Sequence, residues 1–202
     1  MDRLAEVLAG AQQRGLIGPA PVAEHRAHAS GFFRGLGEVP DVVVDLGAGG
    51  GVPGLVLAWE HPGLHVELVD GRRRATDWLE QAVHTLDLEA RVNVQQIRAE
   101  ELGREEQWRG RCTTVVARGF GPPAVLAECA APLLGDGGQV VVSDPPTAGD
   151  ERWPDDGLAM LGLVSAATWS TDGGHYRVLR ATAPCGERFP RRVGIPAKRP
   201  LW

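Results

Sequence analysis

The sequence predicts a single α/β domain, with a doubly wound parallel sheet that finishes in an antiparallel hairpin. Short β-branched runs alternate with stretches whose apolar residues recur at helical spacing, as in a parallel sheet covered on both faces. Near the end, two strand-like runs flank Asp172-Gly173-Gly174, which is a hairpin signal. The 202 residues suffice for one substantial domain. We therefore expect one domain over residues 1–187, with N-terminal helices within 1–38, and a basic tail over 188–202.

The elements follow in chain order. Two N-terminal helices, 2–14 and 22–36, are predicted on either side of a Gly-Pro-Ala-Pro break. The run at 42–46 is β-branched without alternation, which is typical of a strand buried on both faces. The later predictions are strands over 65–70, 92–97, 113–117 and 139–143, helices over 53–60, 72–86 and 123–134, and hairpin strands over 163–171 and 175–182.

Charge is distributed unevenly along the chain. The net charge is −5, yet residues 188–202 carry five basic side chains and no acid, so the rest of the chain is more acidic than the total. A basic tail on an acidic body can bind polyanions locally through their phosphates, and a solvated, disordered terminus is the alternative. The tail residues predicted to contact such a polyanion are Arg188, Arg191, Arg192, Lys198 and Arg199.

Composition also sets expectations about location and metals. Three scattered cysteines form no Cys-x-x-Cys pair, which disfavours a disulfide framework or a cysteine zinc site. The pair His25 and His28 supplies too few ligands for a metal. No apolar run approaches the roughly 20 residues that a membrane span needs, and the N-terminus has no apolar signal core. We expect a cytoplasmic protein without a metal or a membrane partner.

The strongest chemical signal is the run Asp45-Leu46-Gly47-Ala48-Gly49-Gly50-Gly51, directly after a predicted strand. Glycines there let the backbone turn sharply and approach a ligand closely, and the next helix points its N–H groups into the same crevice. Asp45 can receive the amino group of a methionyl moiety, directly or through water. Asp70, at the end of the second strand, can accept both ribose hydroxyls. These features favour S-adenosyl-L-methionine as the cofactor.

The glycine pattern alone leaves alternatives open. Gly49, Gly51 and Gly54 also satisfy G-x-G-x-x-G, and Asp70 lies about where a dinucleotide-binding fold keeps its ribose acid. A nicotinamide cofactor and a purely structural glycine turn therefore remain possible from this motif. The acid that opens the loop and the terminal hairpin favour the methionine-derived cofactor over both.

Several separate stretches resemble one family, the glucose-inhibited-division-B family of bacterial small-subunit ribosomal RNA guanine-N7 methyltransferases. The tail and the glycine loop are the most specific of them. The stretches are DLGAGGGVPGLVLA (45–58), LVDGRRRATDWL (68–79), RAEEL (98–102), VVARGFGPPAVLAECAAPLLGDGGQVVV (115–142) and RFPRRVGIPAKRPL (188–201).

The resemblance implies a class I S-adenosylmethionine-dependent methyltransferase fold, which is Rossmann-like and closes with an antiparallel hairpin. It places Gly47 and Val52 against the cofactor, Ala99 and Glu100 beside its adenine, and Arg118 at the cofactor or target-base side. Ribosomal RNA or the small ribosomal subunit is the implied partner. With the residues above, the predicted cofactor site comprises Asp45, Gly47, Gly49, Gly51, Val52, Asp70, Ala99, Glu100 and Arg118.

The chain departs from the family pattern in two places. Family members carry a longer N-terminal helical region with an Asn-Leu-Thr segment that this sequence does not contain. Only Glu24-His25-Arg26 resembles the segment that precedes the first strand of the family. They also tend to have Lys-Gly after the fifth strand, where this chain has Ser143-Asp144-Pro145-Pro146. A methyltransferase acting on a small molecule or another RNA, and a non-catalytic ribosome-associated module that binds the cofactor, are therefore the alternative functions.

Methyl transfer to guanine N7 needs little acid–base catalysis. The methyl of a sulfonium is already activated, so the step is an in-line displacement that needs alignment, and N7 loses no proton. Positive charge grows on the base, so a nearby carboxylate would be favourable. Arg118 and Asp144 are the predicted catalytic residues, with a plain turn acid as the alternative role of Asp144. Phe120 is a further residue that could stack a base.

Overall fold

The computed structural model describes residues 2–202, and within them the chain forms one sheet of seven strands. Position 1, which the predicted domain included, lies outside the described residues. The strands are β1 (Val42–Leu46), β2 (His65–Val69), β3 (Val92–Gln95), β4 (Cys112–Ala117), β5 (Leu134–Asp144), β6 (Leu163–Thr171) and β7 (Gly174–Ala181).

The strand order confirms the predicted fold class. The order is β3-β2-β1-β4-β5-β7-β6, in which β1 to β5 pair in parallel and β7 runs antiparallel between β5 and β6. The chain winds outwards from β1 in one direction and from β4 in the other. Loops that leave the carboxyl ends of β1 and β4 therefore diverge and open a crevice, which is where open α/β sheets bind ligands.

Helices cover both faces of the sheet. The predicted helix over 22–36 stops at residue 30 and continues as a 3₁₀ turn over 31–33, and three short helices have too few residues to show a periodic pattern in the sequence. The helices are α1 (Arg3–Gln13), α2 (Val22–Ser30), α3 (Gly54–Glu60), α4 (Arg73–Thr85), α5 (Ala99–Leu102), α6 (Pro123–Ala130), α7 (Asp155–Ala159) and α8 (Ile195–Lys198).

Alternation along the strands divides the core into two layers. Val43 points towards α1 to α4, whereas its neighbour Val44 points towards α5 and α6 on the other face. Both side chains are at most 1% exposed, as expected for a central strand of a parallel sheet. Burial on both faces explains why the run at 42–46 shows no polar alternation in the sequence.

An aromatic cluster ties α2 to the terminal hairpin. Phe32 meets Tyr176 edge-on at 5.1 Å between ring centroids, and Trp169 stacks on Tyr176 at 5.5 Å. The Tyr176 hydroxyl donates to the His28 carbonyl at 2.6 Å, and Trp169 Nε1 donates to the Gly31 carbonyl at 2.8 Å. A side chain at Gly31 would overlap the ring of Tyr176, so the approach requires glycine. The cluster holds α2 beside the end of β4.

The C-terminal tail lies against the domain. Phe189 is 3% exposed in the core layer beneath α6, and Trp202 Nε1 donates to the Arg152 carbonyl at 3.2 Å. The alternative of a solvated, disordered terminus does not describe residues 188–202, because apolar anchors at both ends pack the tail onto the domain. Across residues 2–202, no helix has both the length and the apolar character to cross a bilayer.

Candidate active site

A cavity of about 320 Å³ lies at the carboxyl ends of β1 and β2, beside the glycine turn. We call it the loop cleft. Four predicted cofactor residues share it, since Gly47, Asp70, Ala99 and Glu100 all contribute to its walls, as do Gly71 and Phe120. The volume lies at the lower end of the range typical of small-molecule sites.

The glycine turn needs its glycines for two reasons. Gly47, Gly49 and Gly51 have φ angles of +77°, +57° and +96°, a backbone region that other residues adopt only with strain. A Cβ on Gly47 would also lie 2.8 Å from Phe120 Cδ2, inside the cleft. Gly51 and Val52 are buried behind the turn, so the structure places them as its support, not on the cleft wall.

Asp70 has a full set of hydrogen-bond donors. Its Oδ2 accepts from the Gly49 N–H and from Arg72 Nη2, both at 3.0 Å, while Oδ1 accepts from the Arg72 N–H at 2.9 Å and from Nε at 3.1 Å. Burial opposes ionisation, but these donors outweigh it and hold the pKa of Asp70 below its usual value. The Arg72 side chain is 62% exposed and reaches over the ribose-binding position predicted for Asp70.

Asp45 lies beneath the glycine turn and does not line the loop cleft. Its Oδ2 accepts from the Gly54 N–H at 2.8 Å, which fixes the start of α3. Its Oδ1 is buried and has no hydrogen-bond partner among residues 2–202. Burial is the largest influence on this carboxyl and raises its pKa to about 7. An unpartnered buried acceptor of this kind fits a site whose ligand carries an ammonium group. Asp45 could interact with that group through a bridging water or through charge alone.

Arg118 follows β4 and is held by a histidine from α2. Its Nη2 lies 2.9 Å from Nδ1 of His25, whose Nε2 is 2.9 Å from the Gly18 carbonyl. A carbonyl can only accept, so we assign the ring proton to Nε2, which leaves Nδ1 to accept from the guanidinium. His25 is 2% exposed and is a buried acceptor that orients Arg118.

A second cavity of about 320 Å³ opens at the carboxyl ends of β4 and β5. We call it the β4–β5 cleft. It includes Arg118 and Ser143, and it shares Gly119 and Phe120 with the loop cleft. Two ligands bound in the neighbouring clefts would therefore meet at Phe120.

Asp144 lines the β4–β5 cleft, but its carboxylate accepts hydrogen bonds from other residues of the chain. Its carboxylate accepts from Arg177 Nε at 3.1 Å, from Arg152 Nε at 3.3 Å and from the Trp153 indole at 3.0 Å, and its side chain is only 6% exposed. These contacts occupy both oxygens of the carboxylate within the chain, and the catalytic role of Asp144 stays a prediction. Three donors hold its carboxylate, and it joins β5 to β7 and to the turn over 150–152.

One of the predicted RNA-contacting residues, Arg191, is also paired with an acid of the domain. Arg191 forms a bidentate ion pair with Glu128, with 2.8 Å from Nε to Oε1 and 2.6 Å from Nη2 to Oε2, and Glu128 is fully buried. This pairing removes Arg191 from the residues free to contact RNA. The remaining basic side chains of the tail belong to exposed residues, namely Arg188, Arg192, Lys198 and Arg199.

Three functional contacts escaped sequence reasoning. The His25–Arg118 bond joins residues 93 positions apart, and no local pattern reveals such a pairing. The hydrogen bonds from the Arg72 guanidinium to Asp70 are local, but no sequence pattern indicates that Arg72 occupies the carboxylate. Glu128 did carry a signal, because a single acid inside the otherwise apolar helix PAVLAECA requires a buried partner. Within the described part of the chain, no three His, Cys, Asp or Glu side chains group as a metal site would require.

Solved structures with little sequence identity share the fold. A SAM-dependent O-methyltransferase from Thermotoga maritima superimposes with a TM-score of 0.62 at 13% identity, covering 90% of this chain and 73% of that one. TYW2 of P. horikoshii, solved in complex with MeSAdo, gives a TM-score of 0.60 at 17% identity, covering 83% and 65%. At these identities the likeness concerns the fold alone.

Sequence comparison identifies the family. The GidB family model, described as rRNA small subunit methyltransferase G, matches residues 30–151. Ribosomal RNA small subunit methyltransferase G of Prochlorococcus marinus strain MIT 9313 is 35% identical over 80% of this chain and 68% of its own length. The relative of the same name from Roseiflexus castenholzii is 36% identical over 82% and 73%. The resemblance and the predicted cofactor are confirmed: the chain belongs to the GidB family, rRNA small subunit methyltransferase G, and is an S-adenosylmethionine-dependent methyltransferase.

Proposed function

We propose that this enzyme methylates N7 of a guanine in small-subunit (16S) ribosomal RNA. The observation that carries the proposal is the meeting of two clefts at Phe120, with Arg118 in the β4–β5 cleft and the nearby carboxylate of Asp144 held by three donors. N7 attacks through a lone pair and releases no proton, so such a site needs no free base. The names of the relatives support the RNA substrate.

The loop cleft is proposed to hold the cofactor, which supplies a methyl group activated by a sulfonium. Asp70 accepts the ribose hydroxyls in place of the Arg72 side chain, and Ala99 and Glu100 flank the adenine. Gly47 lets the backbone lie against the ligand. Asp45 acts from beneath the turn, where its ionised form balances the positive charge of the methionyl end.

The β4–β5 cleft is proposed to hold the target guanine. The edge of guanine that carries N7 also carries O6, and both are acceptors. An N–H of Arg118 that donates to O6 leaves the N7 lone pair free and aligned. Phe120 packs against the base where the clefts meet, as aromatic side chains do with unstacked RNA bases. Arg118 is thus the proposed catalytic residue, and His25 positions it.

The exposed basic residues of the tail are proposed to contact RNA phosphates, either in free ribosomal RNA or in the small subunit. These are Arg188, Arg192, Lys198 and Arg199, without Arg191. The pair Arg192→Gln/Arg199→Gln should flatten the slope of log affinity against log salt by up to about 2. The pair Arg34→Gln/Arg180→Gln, exposed residues placed away from both clefts, is the matched control and should leave the slope unchanged.

Methyl transfer to isolated RNA and to intact small subunits tests the proposal directly. Both should come from a strain that lacks the endogenous methylation, and mass spectrometry of nucleosides should detect 7-methylguanosine in one or both. We place the enzyme in the cytoplasm, where it meets these substrates. Transfer only to a small molecule, or cofactor binding without transfer to any RNA fraction, would support one of the alternative functions instead.

A further inference from the structure

The C-terminal segment, residues 185–202, is anchored to the domain at its start by a half-buried arginine, Arg109. The guanidinium of Arg109 donates to four carbonyls, those of Gly103, Phe189, Cys185 and Gly186, at 2.8–3.1 Å. Three of these carbonyls belong to the segment. Phe189 is packed into the core layer under α6, so the segment leaves Arg109 in a fixed direction.

Two acids beside the loop cleft then hold the segment in place. The carboxylate of Glu128 on α6 accepts from the Arg191 guanidinium, and its Oε1 also accepts from the backbone N–H of Arg191 at 2.8 Å. Glu100 on α5 accepts from the Gly194 N–H at 3.0 Å. Both α5 and α6 contribute side chains to the cleft, so the contacts attach the segment to the cleft wall itself.

These anchors bring α8 to the rim of the cleft. The chain turns at Gly194, with a φ angle of +79°, and α8 begins at the next residue. Ala197 on α8 lines the loop cleft, as do Asp70, Gly71, Ala99 and Glu100. A small side chain at this position leaves the cavity open.

We propose that the C-terminal segment forms a wall of the S-adenosylmethionine site, with α8 closing its adenine side. The segment then serves cofactor binding in addition to any contact with RNA. Because Ala197 faces the bound nucleoside, the ligand in turn holds α8 in place. This inference rests on the cofactor and is independent of the methyl acceptor.

Enlarging Ala197 tests the wall directly. Residue 197 is exposed, so Ala197→Trp should leave the melting temperature of the free protein unchanged while its ring enters the cleft. Isothermal titration should then show S-adenosylhomocysteine binding weakened at least tenfold. Val193→Trp, an exposed position on the same segment that is outside the cleft lining, is the matched control with an unchanged Kd. Equal affinities for the two variants would overturn the proposal.

Limited proteolysis supplies a second, independent readout on the wild-type chain. Trypsin can cut after Arg192 and Lys198 in the segment, and after Arg34 at a remote exposed site. Saturating S-adenosylhomocysteine should slow cutting in the segment at least fivefold relative to cutting after Arg34. Equal slowing at both places would mean that the ligand stabilises the whole fold without touching α8, and the proposal would fail.

Discussion

At the scale of single residues, the site depends on polar groups that are removed from water and held by a few specific partners. Asp45, His25 and Arg118 are each buried or half-buried, and each depends on one or two specific contacts. Buried polar atoms are costly unless they are paired, so their placement constrains the surrounding structure. Two of these residues lead to direct predictions.

Cofactor affinity should depend on the ionisation of Asp45. Burial raises its pKa to about 7, so the carboxyl is mostly neutral at pH 6 and mostly charged at pH 8. The cationic methionyl end binds the charged form better, so the Kd of S-adenosylmethionine should fall roughly tenfold from pH 6 to pH 8. Asp45→Asn should weaken binding at pH 8 and flatten the profile. The exposed control Asp136→Asn should keep the wild-type dependence of the Kd on pH. A wild-type Kd that does not change between pH 6 and pH 8 would contradict the role of Asp45.

His25 should act on catalysis through Arg118. His25→Leu removes the acceptor for the guanidinium, and the misplacement should lower kcat roughly 10- to 100-fold. His25→Asn, whose carbonyl can accept from Arg118, should recover part of the loss. The double variant His25→Leu/Arg118→Ala should be no slower than Arg118→Ala alone. Additive losses would show that His25 acts elsewhere, and the exposed control His84→Leu should behave as wild type.

At the scale of elements, the glycine turn is the part that the sequence predicts best. Its run of glycines, its preceding strand and its following helix are all local, so a short window contains the whole signal. The first strand and α3 were placed within a residue or two for the same reason. By contrast, α5, α7 and α8 have four or five residues each, and their positions depend on tertiary contacts.

Gly47 should be specifically required for cofactor binding. Gly47→Ala combines backbone strain at a φ of +77° with a methyl group directed at Phe120, and we expect the Kd for S-adenosylhomocysteine to rise more than tenfold. Gly137→Ala is the matched control, since its φ is +65° and the added methyl meets nothing within 4 Å. Both variants should lose similar stability. If both variants bind S-adenosylhomocysteine equally well, the turn needs glycine at position 47 only because of backbone strain, and the approach of Phe120 has no part in binding.

At the scale of the whole molecule, distant segments meet around the sheet edge in ways that sequence pattern does not encode. The doubly wound order and the hairpin follow from alternating elements and general handedness rules, and the sequence predicts them. The contact of Glu128 with Arg191, 63 positions away, and the network of Asp144 with Arg152 and Arg177 do not follow. The sequence predicts an RNA contact for Arg191 and a catalytic role for Asp144 from their charge and position, and the fold pairs each with an opposite charge.

The free energy of unfolding should depend on the Arg191–Glu128 ion pair, which attaches the tail to the domain. Arg191→Met leaves Glu128 charged and fully buried, and should lower the free energy of unfolding by about 3 kcal/mol in urea denaturation. Adding Glu128→Gln to this variant removes the buried charge and keeps a side-chain oxygen that can accept from the backbone N–H of position 191, so stability should recover by more than half. If the double variant is less stable than Arg191→Met, an unpaired charge is not the source of the loss.

The aromatic cluster that joins residues 28–32 to Trp169 and Tyr176 has a consequence for when the enzyme can begin to work. The histidine that orients Arg118 lies on a helix that is secured by side chains of the last two strands of the sheet. During synthesis the glycine turn and the first strands are made well before Trp169 and Tyr176, so a chain that has not yet formed β6 and β7 lacks the brace for that helix. Methyl transfer should therefore begin only once these two strands have been made and have paired with the rest of the sheet.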